Sequence, residues 1–263
     1  VPGQPDLPAR ITPQDVDSGT KNEAVFAMLE FDVLENLTLT AEGRQAEDTI
    51  HTGGRSVFSK TSNTGFMPGS FSSGCAVVNA PIAGSPNRQI LTCANQYVND
   101  SSFKNFLPRF TATWLASDTL TYYAQYAKGN KPGGFNTDAE NARIQPADRA
   151  ALATLGLRSF DEEEADSFEI GFKSRLFDRR VQLNTALYLI DWTNQQLTQT
   201  GPVLEEGRPV GAPTQPQFGT SYTANLGKSE VRGVEMEMLA ALGPHWNLRM
   251  TYAYQDAKIK EYF

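Results

Sequence analysis

The residues with the greatest capacity for chemistry are two cysteines, Cys75 and Cys93, and two histidines, His51 and His245. The cysteines share one polar segment, where they form either two buried free thiols or a local disulfide. The disulfide is the favoured prediction; it indicates an oxidising compartment and would constrain the unfolded chain by about 3 kcal/mol. A zinc site is disfavoured, because no Cys-x-x-Cys pair accompanies the two histidines.

Neither histidine has the neighbours that a catalytic group needs. His245 lies in a predicted short turn and His51 at the predicted end of a strand, and no serine and aspartate are placed to complete a triad with either. The glycine-rich segment 129–134 lacks the pattern G-x-x-x-x-G-K-[ST] that cradles phosphate. The sequence therefore predicts that the protein is not an enzyme and has no catalytic residue, metal or cofactor.

Charge and hydropathy exclude several classes of protein. The 30 acidic residues outnumber the 23 basic ones, and no cluster of Lys and Arg stands out, so we expect no nucleic-acid partner. The longest apolar run, 186–190, is far shorter than the roughly 18 to 20 residues of a membrane-spanning helix. Barrel strands need only about 9 to 11 residues, half of them facing a polar interior, so the sequence remains compatible with a transmembrane β-barrel.

Apolar and polar residues alternate with a period of two in four pairs of segments, which is typical of β-hairpins. The clearest case is 246–255, where Trp246, Leu248 and Met250 share a face opposite Asn247 and Arg249. The predicted hairpins are 25–33 with 37–44, 109–114 with 120–126, 168–176 with 181–187, and 233–238 with 246–255.

Short turns join the two strands of each hairpin, whereas long polar links, at about 51–104, 133–165 and 199–221, join one hairpin to the next. This asymmetry is typical of outer-membrane barrels. The main alternative, a soluble β-sandwich, usually has short loops at both ends. We therefore predict an all-β, antiparallel transmembrane barrel of which this chain supplies about eight strands.

Smaller features lie within this framework. Aromatic residues are expected at two membrane interfaces, Trp114, Phe177 and Trp246 near the short turns and Tyr126, Trp192 and Tyr254 further along the strands. A short helix is predicted from Pro146 to Leu155, with Gly156 after its last turn. The acidic run 161–164 is expected to be a solvated loop edge.

Several segments resemble those of TonB-dependent receptors in their order and spacing. These segments are 37–44 (LTLTAEGR), 106–110 (FLPRF), 122–129 (YYAQYAKG), 131–136 (KPGGFN), 167–174 (SFEIGFKS), 183–184 (LN), 190–192 (IDW), 225–227 (NLG), 233–237 (GVEME) and 252–258 (YAYQDAK). Together they cover most predicted strands from about residue 24 onward.

The resemblance implies a barrel of about 22 strands whose lumen is closed by an N-terminal plug. It also implies a bacterial outer-membrane location and energised uptake of a scarce nutrient, most often a ferric siderophore or similar iron chelate. The same fold also carries sugars, cobalamin and other metals. A passive channel or adhesion-type barrel without energy coupling is the alternative, and a plug of about 130–150 residues upstream would discriminate between the two.

Residues 1–263 hold about a third of the family's strands and neither the plug nor the short box gripped by the energising protein, so we expect a piece of a longer chain. Residues 1–5 also lack the basic and apolar regions of a secretory signal. The partners implied are outer-membrane lipid, the plug and remaining barrel strands, the TonB energising complex and a small-molecule ligand.

In such a barrel, the polar side of each strand faces the lumen. The charged residues expected to line that wall are Arg109, Glu169, Lys173, Arg175, Glu235, Glu237 and Arg249. Plain solvation in the lumen or packing against the plug is the alternative role for each. The long links are expected to form the surface that captures ligand.

Overall fold

The computed structural model describes residues 10–72, 74–212 and 217–262. Eight long strands dominate this part of the chain. They are β1 (Arg10–Leu34), β2 (Leu37–Ser62), β4 (Gln89–Ser117), β5 (Leu120–Lys131), β8 (Glu163–Leu176), β9 (Val181–Leu204), β10 (Gln217–Ala241) and β11 (Asn247–Tyr262). The shorter elements are β3 (Cys75–Asn79), β6 (Gly134–Phe135), a 3₁₀ turn (Thr137–Glu140), α1 (Pro146–Thr154) and β7 (Ser159–Phe160).

The eight long strands form one antiparallel sheet in chain order, β1-β2-β4-β5-β8-β9-β10-β11. Each predicted hairpin is therefore confirmed, as is the all-β antiparallel class. β1 and β11 lie at the two edges of the sheet, and β3 adds to β4 outside this path. No helix among the described residues is long and apolar enough to cross a bilayer.

The short turns lie at one end of the sheet. β1 and β2 are joined by two residues, and the turn after β8 places Phe177, Asp178 and Arg179 at φ values of 52°, 56° and 65°. Asp tolerates this left-handed region better than most residues, which explains its place in a tight turn. The predicted helix is also confirmed as α1, and Gly156 follows it at φ 72°.

The predicted link 51–104 was too long. β2 continues to Ser62 and β4 begins at Gln89, and the two pair without a break from Leu37 with Trp114 to Ser62 with Gln89. β4 has 29 residues, whereas a barrel strand crosses the bilayer in about 9 to 11. The outer parts of these strands, 51–62 and 89–104, show no regular alternation of apolar and polar residues, so a search for a period of two misses them. The other two links likewise shorten to 132–162 and 205–216.

Directly paired residues of neighbouring strands share one face of a sheet. One row that crosses all eight long strands is apolar. It consists of Phe31, Leu39, Ala112, Ala124, Ile170, Leu187, Val234 and Tyr254. Phe31 is 68% exposed and Ile170 is 56% exposed. We call this side the apolar face; so large an exposed apolar surface is typical of contact with lipid.

The adjacent row, one residue farther from the short turns on every strand, lies on the opposite side of the sheet, which we call the polar face. It consists of Glu30, Thr40, Thr111, Gln125, Glu169, Tyr188, Gly233 and Gln255. One expected interface aromatic is misplaced: Trp192 pairs with Ala165 and Ser229, in step with Tyr188, so it lies on the polar face. Tyr126 and Tyr254 do lie on the apolar face.

Two clusters of buried hydrophobic side chains lie at the end of the sheet far from the short turns. One cluster contains Phe58, Phe66, Leu91, Cys93 and Ala142, and a second contains Ala139, Ile144, Leu152 and Val203. Phe58 pairs with Cys93 in the same unbroken register that pairs Glu42 with Arg109, so both pairs point to the polar face. The described parts of the links, 63–72, 74–88, 132–162 and 205–212, therefore fold over the polar face; we call them the loop cover.

Candidate functional site

The register places all seven charged residues that were expected to line a lumen on the polar face. These residues are Arg109, Glu169, Lys173, Arg175, Glu235, Glu237 and Arg249. Lys173 and Glu237 both pair with Asn184 of β9, which puts opposite charges two strands apart at one level. The sheet thus collects charges from four strands on one side, although the sequence spreads them over 140 residues.

Several of these charges are matched within the face. Arg109 forms an ion pair with Glu42 of the neighbouring strand, and Arg249 donates to Glu237 at 2.6 Å. Glu169 accepts a hydrogen bond from the hydroxyl of Tyr123 at 2.6 Å. The polar face is therefore a surface of paired charges and hydrogen bonds rather than a single-sign patch.

Two glycines let tyrosines lie flat against this face. A Cβ atom on Gly171 would lie 2.5 Å from the carbonyl oxygen of Thr185 and 2.6 Å from the hydroxyl of Tyr123. A Cβ atom on Gly233 would lie 2.5 Å from the hydroxyl of Tyr188. Both glycines belong to the segments that resemble the receptor family, and their role here is close packing of neighbouring strands.

An ion triplet ties the loop cover to the sheet. Glu205, whose side chain is 4% exposed, accepts from Lys60 at the end of β2 at 2.5 Å and from Arg143 Nε at 2.5 Å. Lys60 also donates to the carbonyl oxygen of Gly207 at 3.3 Å. Three segments that are distant in sequence therefore meet at one buried carboxylate. Sequence reasoning missed this site.

A second buried carboxylate joins the link 132–162 to β4. Glu140 accepts from Arg158 Nε at 2.5 Å and from the Asn95 amide at 3.2 Å. The same link also reaches the acidic run 161–164, which is not a solvated edge: Glu163 is 6% exposed and accepts from the Gln196 backbone N–H at 2.7 Å. That expectation was wrong because the run continues into β8, where Glu163 turns toward the covered side.

A side-chain amide ties the link 132–162 to β10. The Asn136 amide donates to the carbonyl oxygen of Thr223 and accepts from its N–H, both at 2.7 Å. Asn136 therefore satisfies both backbone groups of Thr223 at this position.

The structure contains the favoured disulfide, with Cys75 of β3 directly paired to Cys93 of β4 and a Cα–Cα distance of 4.0 Å. It anchors β3 and the link around it against the first buried cluster. His51 lies within β2, not at a strand end, and its Nδ1 atom is 2.7 Å from Asp100. That hydrogen bond raises the pKa of His51.

Glu206 is the most enclosed acid in the described part of the chain, with no exposed surface. Its Oε2 atom accepts from the Ser72 backbone N–H at 3.1 Å, which fastens the link after β9 to the link after β2. Burial raises the pKa of this carboxyl group, against the smaller effects of the Ser72 hydrogen bond and the Arg149 charge. Burial in turn lowers the pKa of Arg149.

Because the pKa of Glu206 is raised, the stability of the loop cover should depend on pH. Because the folded-state pKa lies above that of the unfolded chain, about 4.3, the stabilisation is complete below that pH and is lost as pH rises through the folded-state pKa. We expect amide-exchange protection around Ser72 to fall as pH increases, after correction for intrinsic exchange. Glu206→Gln keeps an acceptor for Ser72 and should remove this dependence; an unchanged pH profile in the variant would contradict the assignment.

Comparison with known proteins identifies the class. The family model described as "TonB dependent receptor-like, beta-barrel" matches residues 2–262, so the chain belongs to that family of transport receptors. The chain is accordingly part of a bacterial outer-membrane protein.

Individual relatives agree with the family. A probable TonB-dependent siderophore receptor, PiuA, of Acinetobacter baumannii is 24% identical over 161 residues, covering 61% of this chain and 18% of that protein. The ferripyoverdine receptor of Pseudomonas aeruginosa is 23% identical over 166 residues, covering 63% and 17%. The ferric yersiniabactin uptake receptor FyuA of Yersinia pestis shares the fold, with a TM-score of 0.60, 15% identity, and coverage of 95% of this chain and 29% of that one. The chain thus spans less than a fifth of the length of PiuA and of the ferripyoverdine receptor.

Proposed function

We propose that residues 1–263 belong to the barrel domain of a ligand-gated, TonB-energised outer-membrane receptor that imports a ferric siderophore or similar iron chelate. The observation that carries this proposal is the pair of adjacent rows, one apolar and one polar, that crosses all eight long strands. Such alternation suits a wall with lipid on one side and an enclosed polar lumen on the other. The siderophore receptors PiuA of Acinetobacter baumannii and the ferripyoverdine receptor of Pseudomonas aeruginosa, both similar in sequence, support the choice of cargo.

In this proposal the apolar face contacts outer-membrane lipid, and the exposed edges of β1 and β11 pair with the remaining strands of the barrel. An unpaired strand edge cannot persist in lipid, where backbone groups have no water to bind, so these edges need partners. The plug would occupy the lumen and connect the receptor to the TonB complex. Catalysis forms no part of the proposed role.

The seven charged residues would then form part of the lumen wall. Their cross-strand pairs support this role, because Arg109 with Glu42 and Arg249 with Glu237 hold charges in place without a partner from outside the sheet. Asn184 between Lys173 and Glu237 has a buried amide oxygen without a hydrogen-bond partner in the described part of the chain. A plug side chain or lumen water would supply the missing donor.

The loop cover would contribute to the outer surface where ligand first binds. Its ion pairs and disulfide give it a fixed geometry, and a preorganised surface favours selective binding of one ligand.

The test is uptake by a strain lacking the receptor gene and grown under iron limitation. The full-length receptor, supplied in trans, should restore uptake of radiolabelled iron from a ferric siderophore, and the restored uptake should vanish when the TonB complex is inactivated. Uptake that persists without TonB would show a passive channel instead. If no ferric chelate of a panel were taken up but a sugar or cobalamin entered in a TonB-dependent manner, the proposed iron-chelate cargo would be wrong.

A further inference from the structure

Three potential metal ligands converge beneath the loop cover. The two sulfur atoms of Cys75 and Cys93 and a carboxylate oxygen of Glu206 all lie within 4.8 Å of one another. Glu206 has no exposed surface, and its Oε1 atom has no hydrogen-bond partner among the described residues. A buried, half-satisfied carboxyl group beside two sulfurs is costly unless it serves a ligand or stays neutral.

The surroundings of this group are dry and tightly packed. Phe58 and Leu91 are fully buried, and Phe66 is 6% exposed. A Cβ atom on Gly207, the residue after Glu206, would lie 2.3 Å from Leu91, so the backbone that carries Glu206 is held close to the cluster. The carboxyl group therefore keeps its place beside the sulfurs without help from solvent.

We propose that reduction of the Cys75–Cys93 disulfide converts this cluster into a binding site for a thiophilic divalent cation such as Zn²⁺, with two thiolates and the Glu206 carboxylate as ligands. Zinc takes sulfur at about 2.3 Å and carboxylate oxygen at about 2.0–2.2 Å in tetrahedral geometry. The Ser72 hydroxyl, 3.4 Å from Cys75 Sγ, lies where it would take the fourth position.

The chemistry balances with a phosphine as reductant. Phosphine, water and the disulfide give phosphine oxide and two thiols; the bond between the sulfurs breaks, and each sulfur takes one proton from water. Zn²⁺ then displaces the two thiol protons and, where Glu206 is protonated, its proton as well, because only deprotonated ligands bind the ion. The bound ion holds β3 against β4 as the disulfide does, so the loop cover keeps its anchor in the reduced state.

The experiment uses the full-length receptor in detergent micelles. After anaerobic reduction with phosphine and desalting, Zn²⁺ is titrated against a chromophoric chelator, and Co²⁺ replaces it as the spectroscopic probe. We expect one additional equivalent of Zn²⁺ in the reduced protein relative to the oxidised protein, and thiolate-to-cobalt charge-transfer absorption only after reduction. Equal zinc binding in both redox states, or cobalt spectra without that absorption, would overturn the proposal.

Variants assign the ligands. Glu206→Gln should weaken zinc binding by at least the roughly 10–100-fold that changes next to a metal site cause, whereas Glu47→Gln, a partly exposed carboxylate on β2, should leave it unchanged. If Glu206→Gln bound zinc with the affinity of the wild type, the Glu206 carboxylate would not be a ligand. X-ray absorption of the zinc-loaded wild type does not depend on a variant folding; it should show two sulfur neighbours, and a shell of oxygen and nitrogen alone would refute the assignment.

Discussion

Replacing Glu205 by alanine should lower the free energy of opening the loop cover by about 3–5 kcal/mol, the usual cost of removing one partner from a buried ion pair. The side chains of Lys60 and Arg143 are only 12% and 26% exposed, so each would keep a charge that water reaches poorly. Hydrogen exchange of the link 132–162 and of the end of β2, measured on the receptor in micelles, reports this local opening.

An exposed ion pair provides the matched control. Glu23 lies 2.9 Å from Lys21, and both side chains are about two-thirds exposed, so Glu23→Ala should change local stability by at most about 1 kcal/mol. Equal exchange rates in Glu205→Ala and wild type would show that the triplet does not hold the loop cover. A uniform rise across the whole sheet would instead indicate global destabilisation.

The hairpins could be predicted because each strand carries its pattern within its own ten or so residues. In β8, Phe168, Ile170 and Phe172 alternate with charged or small residues, and lipid on one side enforces that period. The same period of two predicted that the seven charged residues lie on one side of the sheet. The strand register places all seven on the polar face. The pattern did not predict which residues form ion pairs with them, such as Glu42 with Arg109.

The loop cover could not be predicted, because its contacts join residues that no local pattern relates. Glu205 meets Lys60 across 145 positions and Arg143 across 62. In 51–62 and 89–104 the side facing the loop cover carries both polar residues and the buried Phe58, Leu91 and Cys93, so the regular alternation fades although the backbone pairing continues. The disulfide was the exception, since only two cysteines exist and they lie near each other in the chain.

Replacing Gly171 by alanine should destabilise the sheet by about 1–3 kcal/mol, the range for forcing a methyl group into a filled space. The new Cβ atom would meet the Thr185 carbonyl oxygen at 2.5 Å and the Tyr123 hydroxyl at 2.6 Å. The tyrosine end can move, but the carbonyl belongs to the backbone of β9, so β8 and β9 must separate. Unfolding in micelles, followed by the shift between folded and unfolded bands on gels, measures the loss.

Gly129 of β5 is the matched control, because a Cβ atom there would meet nothing within 4 Å. Gly129→Ala should be neutral or stabilising by up to about 1 kcal/mol, since alanine restricts the unfolded chain. Adding Tyr123→Ala to Gly171→Ala removes both tyrosine atoms near the new Cβ atom, the hydroxyl oxygen and Cε1, and leaves the Thr185 carbonyl oxygen. The effect of Gly171→Ala is then measured against Tyr123→Ala alone. If the carbonyl of Thr185 sets the limit, Gly171→Ala should still destabilise the Tyr123→Ala protein; no loss in that background would show that Tyr123 is the cause and that the close approach of β8 to β9 does not need this glycine.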